Sequence, residues 1–207
     1  MKSNPYHNKA AFFDGQIDAA WAADAYGPEE RRKLERLRGE LAPLAGKSIL
    51  EPGCGTGRMT EVLSQWVGPS GAVTALDISP KMIARAKQRL AGRENISLAR
   101  AALEDIAFRS ACFDVVLHHQ VFPHYHNPAR VLDITARVVK PGGAVILCHF
   151  INSARMNDIH RKAGSAVAHD LMPKESELRR LFSAAGLTVK FVADDDNGFF
   201  LSAHRPI

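Results

Sequence analysis

Short, nearly continuous apolar runs alternate along this chain with stretches in which apolar residues recur every three or four positions. Residues 47–50 (KSIL), 72–78 (AVTALDI), 96–101 (ISLARA), 112–119 (CFDVVLHH) and 142–150 (GGAVILCHF) read as five strands. Between them, Met59, Val62, Leu63, Trp66 and Val67 mark one amphipathic helix, and Met82, Ile83, Ala86 and Leu90 mark a second. The second helix opens on Ser79 as N-cap, with Pro80 at its first position. A third carries Val131, Leu132, Ile134, Thr135 and Val138 and stops before Pro141-Gly142-Gly143; a fourth, with Leu178, Leu181, Phe182 and Ala185, closes on Gly186. Residues 187–192 and 199–205 form a final strand pair around the turn DDDNG. Strand–helix alternation with apolar strands predicts an α/β fold, a doubly wound, mostly parallel sheet. Ligands of such sheets bind at the C-terminal edge of the strands. Residues 1–45 form a helical N-terminal cap, 46–150 the core, 151–172 a cap insert and 173–207 a closing helix and strand pair, all in one domain.

Composition narrows this picture. At 207 residues with 46% hydrophobic residues, the chain has the material for one full core. The longest apolar run, residues 144–151, is too short for a membrane span, and no signal-peptide core opens the chain, so a cytoplasmic protein is expected. Three widely spaced cysteines suggest neither a disulfide framework nor a zinc site. The net charge of +5 raises nucleic acid as a partner, but the densest basic stretch, residues 29–40, is interleaved with acids and reads as a solvated helix face.

The stretch EPGCGTG (residues 51–57) follows the first strand and opens the first helix. A dinucleotide fingerprint needs glycine at its first, third and sixth positions; counted from Gly53, the sixth is Arg58. The Gly-Lys-Ser/Thr of a P-loop is missing as well. Glu51, two residues before the first glycine, is misplaced beside a phosphate and well placed beside an ammonium or sulfonium. Asp77, 24 residues beyond Gly53, ends the second strand, where a carboxylate accepts ribose hydroxyls. Glu104 or Asp105, after the third strand, is placed to meet an adenine amino group. The implied ligand has a ribose, an adenine and a cationic tail, and S-adenosylmethionine fits it.

The segments ILEPGCGTGRMTEVLSQ, VTALDISPKMIARAKQRL, ARAALEDIAF, FDVVLHHQVFPHYHNPARVL and RVVKPGGAVIL together resemble the successive motifs of class I S-adenosylmethionine-dependent methyltransferases, in their ubiquinone/menaquinone-type small-molecule branch. The resemblance runs from about Lys47 to His149. It implies a Rossmann-like seven-stranded sheet with an antiparallel final strand. It implies that Glu51, Gly53, Cys54, Gly55 and Gly57 surround the methionine moiety and ribose, and that Asp77 takes the ribose hydroxyls. Ile78 and Leu103 would sandwich the adenine, with Met82 beside them and Glu104 at its amino group. His118 and His119 would lie near the reactive methyl. Apart from the resemblance, Tyr26 in the N-terminal cap is expected to close over the cofactor.

Methyl transfer from a sulfonium asks a protein mainly to orient and desolvate, and a base is needed only when the acceptor loses a proton. His118, His119, His124 and His126 crowd into nine residues, with His149 at the end of the fifth strand and His160 and His169 in the insert. His124 and His149, then His119, are the candidate catalytic groups. The alternative for this cluster is a metal site in which His160 and His169 join His124 and His149. The reading HHQVFP after the fourth strand departs from the Asn/Asp-Pro-Pro-aromatic motif of base-methylating enzymes, which favours a small-molecule acceptor over nucleic acid. Two rival functions remain open: an NAD(P)-dependent Rossmann-type reductase, and a non-catalytic cofactor- or RNA-binding module.

Overall fold

Seven strands lie in the order β3-β2-β1-β4-β5-β7-β6 in the computed structural model, which describes residues 5–207. They are β1 (Ser48–Pro52), β2 (Ala72–Asp77), β3 (Ile96–Arg100), β4 (Phe113–His119), β5 (Val139–His149), β6 (Thr188–Asp195) and β7 (Gly198–His204). β7 alone runs antiparallel to its neighbours β5 and β6. The doubly wound, mostly parallel seven-stranded sheet read from the sequence is therefore present. The chain divides into two compact units, one up to Ala102 and the other from Leu103 to Ile207.

The first unit carries β1–β3, with β1 parallel to β2 and β2 parallel to β3. Its helices are α1 (His7–Asp14), α2 (Ala20–Ala23), α3 (Pro28–Leu41), α4 (Arg58–Val67) and α5 (Pro80–Arg89). α5 begins as its sequence requires: Ser79 Oγ accepts the Met82 N–H at 3.0 Å, with Pro80 next. α4 instead starts from Gly57, whose φ of 81° is left-handed; a Cβ there would lie 2.9 Å from Leu90 Cδ1. Glycine is thus needed twice over at that position.

The second unit carries β4–β7 with α6 (Pro128–Val138), α7 (Ser153–Lys162) and α8 (Glu175–Ala184). β5 begins at Val139, three residues earlier than the glycines suggest, because Val139 already pairs with Phe113 before a register shift in β4. The final hairpin is tighter than expected. Asp194 and Asp195 stay in the ladder opposite Phe199 and Gly198, which leaves Asp196 and Asn197 as the turn. Gly198 (φ 117°) comes so close to the end of β5 that a Cβ would overlap the His149 carbonyl oxygen at 2.3 Å. No described helix is long and apolar enough to cross a membrane.

Candidate functional site

In the first unit, β1 delivers Glu51 into the interior, 1% exposed, where its Oε2 accepts the Thr60 hydroxyl at 2.7 Å. Burial pushes its carboxyl up to about 8, against the opposing Thr60 hydrogen bond and with a further push from the Asp77 charge. Asp77 ends β2 and is also buried. Its Oδ1 accepts the Ser79 N–H and its Oδ2 the Gly55 N–H, both at 2.8 Å. Burial raises it to about 6 even though these amides favour its charged form. Among the described residues neither carboxylate takes part in an ion pair. Two buried acids with no cation beside them fit a ligand that brings positive charge.

The glycine turn itself is folded inward. Gly53 and Cys54 N–H both donate to the Leu76 carbonyl, at 2.7 and 2.9 Å, and Gly57 N–H donates to Cys54 O at 3.0 Å. With Gly55 bonded to Asp77, four amides of the turn are spent inside the protein, which makes it a poor cradle for a pyrophosphate. Gly53, Gly55 and Gly57 all have φ between 56° and 81°. Cys54, expected among the cofactor-binding residues, directs its side chain into the core against Ala75, Ile83 and Leu98, and burial holds its thiol well above the usual range. Only its backbone belongs to the turn. Met82 is buried behind Gly55, its sulfur 4.0 Å from where a Cβ on that glycine would sit, and Ile78 is half-buried.

Residues 14–30 are latched onto this turn. Thr56 Oγ1 donates to the Ala22 carbonyl, Arg58 Nη1 to the Trp21 carbonyl and Arg89 Nη2 to the Ala23 carbonyl. Asp14 Oδ1 accepts the Ser79 hydroxyl at 2.5 Å and the Lys81 N–H at 3.0 Å. Arg58 Nη2 also lies 3.2 Å from both Glu30 oxygens, and its guanidinium rests 4.0 Å above the Tyr26 ring. The arginine that breaks the dinucleotide fingerprint is the hub of this latch. In the sequence the arginine is visible only as the residue standing where that fingerprint needs a glycine.

In the second unit the histidines separate by environment. His118, expected near a reactive methyl, is fully buried: Nδ1 bonds to the Tyr125 hydroxyl at 2.8 Å and Nε2 to Thr135 Oγ1 at 3.2 Å. Burial lowers it to about 3. Both ring nitrogens are spent in the core, so only the backbone of His118 is left to face a ligand. His149 is 4% exposed, and its Nε2 has no hydrogen-bond partner among the described residues. Burial holds it well below its ordinary range, with His119, His124 and His160 adding to the effect. His119 lies edge-on to Phe150 at 4.9 Å. His124 Nδ1 sits 2.7 Å from Asp170 Oδ2, and its ring is 4.8 Å from that of His160. His169 is exposed. No group of three or more His, Cys, Asp or Glu side chains converges as a metal site among the described residues. Leu103 is buried and Glu104 half-buried in a 3-10 turn spanning Leu103–Asp105.

Residues 50–147 match the family model described as a methyltransferase domain. Over this stretch, just under half of the chain, it is similar to that family. It is 35% identical over 111 residues to a demethylmenaquinone methyltransferase of Clavibacter sepedonicus, covering 53% of this chain and 44% of that protein. It is 36% identical over 107 residues to a malonyl-[acyl-carrier protein] O-methyltransferase of a Paenibacillus species, covering 49% and 38%. The chain thus spans less than half the length of these curated relatives. The first match agrees with the ubiquinone/menaquinone-type resemblance. The crystal structure of a SAM-dependent methyltransferase from Aquifex aeolicus superposes with a TM-score of 0.68 at 18% identity, over 94% of this chain and 96% of that one, which supports the class I methyltransferase fold. Both ends of the glycine turn and the histidine-rich stretch after β4 fall inside the methyltransferase domain; Asp170, His160 and the latch residues before Lys47 fall outside it.

Proposed function

We propose that this protein transfers a methyl group from S-adenosylmethionine to a small-molecule acceptor. The observation that carries the reading is the pair of buried carboxyls, Glu51 and Asp77, with no cation paired to either among the described residues, around a turn whose amides are already spent. The bound cofactor supplies an electrophilic methyl on a sulfonium. Glu51 faces the positive charge of that ligand, whose arrival favours the ionised carboxylate. Asp77 keeps lone pairs for ribose hydroxyls beyond those given to Gly55 and Ser79, since a carboxylate has about four acceptor sites. Ile78, Met82 and Leu103 give apolar contact to the adenine, Glu104 takes its amino group, and Tyr26, held by Arg58, closes over it.

His124, His149 and His119 are assigned to the acceptor, where a neutral imidazole removes a proton. The relatives are named for demethylmenaquinone and a malonyl-[acyl-carrier protein], which supports a small-molecule acceptor over nucleic acid, in a cytoplasmic setting that keeps Cys54, Cys112 and Cys148 reduced. Thermal melting with S-adenosylmethionine, S-adenosylhomocysteine and NADH tests the reading. The two sulfur ligands should raise Tm and NADH should not; a shift with NADH alone overturns it.

A further inference from the structure

Asp170 lies in the segment after α7, 46 residues from the histidine it meets. Its Oδ2 is 2.7 Å from His124 Nδ1, with the two side chains 15% and 13% exposed. Its backbone carbonyl accepts a hydrogen bond from His160 Nδ1, and the His160 ring packs 4.8 Å from that of His124. The residue is gripped at its backbone by one imidazole while its side chain grips the other. A carboxylate and a carbonyl only accept, so both imidazoles carry a proton on Nδ1, and in the neutral ring the lone pair is on Nε2. That is the arrangement by which a carboxylate sets the tautomer of a general base.

We infer that Asp170 and His160 are positioning residues that fix His124 as the base for an acceptor that must give up an O–H proton, a phenol or an enol. The inference rests on the transfer reading above. In the step, the acceptor oxygen forms the O–CH3 bond while its proton passes to His124 Nε2. The electron pair of the broken C–S bond stays on sulfur, which leaves as a neutral thioether, and the new imidazolium lies against the Asp170 carboxylate. A neutral amine attacks through its own lone pair before any proton is lost, and a thiol supplies reactive thiolate near neutral pH. Neither gains as much from a fixed base as a hydroxyl that is weakly nucleophilic until deprotonated.

The test has two arms. The first is the long-range proton–nitrogen spectrum of histidine-labelled protein without cofactor. His124 should show the Nδ1–H tautomer, and Asp170→Asn should abolish that signature. The second arm supplies methyl-labelled S-adenosylmethionine with 1-naphthol, a 1,3-diketone, a tertiary amine and a simple thiol. Label should enter the naphthol or the diketone. Asp170→Asn should lower kcat by about 10²–10⁴-fold with KM little changed. The double variant with His124→Gln should be no slower than His124→Gln alone. Affinity for S-adenosylhomocysteine should be the same in all variants.

An Nε2–H tautomer in the wild type, full turnover by Asp170→Asn, or label absent from both hydroxylic probes overturns the inference. If Asp170→Asn does not fold, the wild-type spectrum and the label pattern still decide it. Failure of the wild type to bind S-adenosylhomocysteine would sink the transfer reading instead, with the tautomer still reporting on the His124–Asp170 pair.

Discussion

The first unit buries two carboxyls and burial pushes both up, Glu51 to about 8 and Asp77 to about 6; in the second, burial pushes the imidazoles of His118 and His149 down, His118 to about 3 and His149 well below its ordinary range. The same desolvation acts in both places, and in each it favours the neutral form. The partners are what differ. Glu51 and Asp77 accept from neutral donors that suit a carboxylate, so a cation is what they lack. His118 has both nitrogens bonded, whereas His149 has a nitrogen with no partner among the described residues. A shifted pKa therefore locates buried titratable groups, and the count of their hydrogen bonds tells which of them wait for a ligand.

The sharpest way to break this contrast is to remove each imidazole in turn. His118→Ala should destabilise the protein by about 3 kcal/mol, because it opens a cavity and strands the Tyr125 and Thr135 hydroxyls. His149→Leu should cost far less in denaturant unfolding, because it removes a nitrogen that is buried without a partner. Equal losses would mean that both rings are structural. In the first unit, Asp77→Asn keeps one acceptor for Gly55 or Ser79 but loses the charge-assisted bonds assigned to the ribose. Affinity for S-adenosylhomocysteine by calorimetry should fall about 10–100-fold. An unchanged affinity removes Asp77 from the cofactor site.

A smaller effect separates the two units by pH. Glu51 has an ordinary value of 4.5 and a folded one of about 8, so between these values the native state holds a proton that the unfolded chain has released. Stability is then lost as pH rises toward 8, by up to about 1.4 kcal/mol per pH unit. Asp77 contributes in the same sense only up to about 6. His118 acts in the opposite sense, with stability gained as pH rises from about 3 to 6.5. Between about pH 6.5 and 8 the decline belongs to Glu51, and Glu51→Gln should flatten it in urea melts of the ligand-free protein. Bound cofactor should flatten it too, since the cation favours the ionised carboxylate.

What could be read from the sequence follows the range of the forces involved. The strands, the N-cap at Ser79 and the glycine turn depend on neighbours within a few residues, and they were legible. The start of β5 was misplaced because the pairing of Val139 with Phe113 outweighs the breaking tendency of Pro141-Gly142-Gly143. The turn DDDNG shrank to two residues for the same reason, with the ladder reaching Asp195. Asp170 and Asp14 went unseen because their partners lie 46 and 65 residues away, His124 for one and Ser79 for the other. His118 was legible as a histidine at a strand end, but the two hydroxyls that absorb its ring come from other segments. The latch on Arg58 left a trace only as a glycine missing from a familiar pattern.

That latch allows a last and smallest test. Arg58 is 9% exposed and joins three parts of residues 14–30: the Trp21 carbonyl, the Glu30 carboxylate and the Tyr26 ring. The neighbouring Arg85–Asp18 pair is also close, at 2.7 Å, but its two side chains are 42% and 76% exposed. Solvent screening and side-chain entropy leave such a surface pair with little net effect. Arg58→Met keeps most of the aliphatic stem while removing the donors, so it should speed hydrogen exchange at the Ala22, Ala23 and Asp24 amides by about fivefold to tenfold, the equivalent of about 1–1.4 kcal/mol. Arg85→Met should leave those amides unchanged. If Tyr26 closes over the cofactor as proposed, Arg58→Met should also weaken S-adenosylhomocysteine binding by a similar factor. Faster exchange with undiminished affinity would confine the latch to stability and take Tyr26 out of the site.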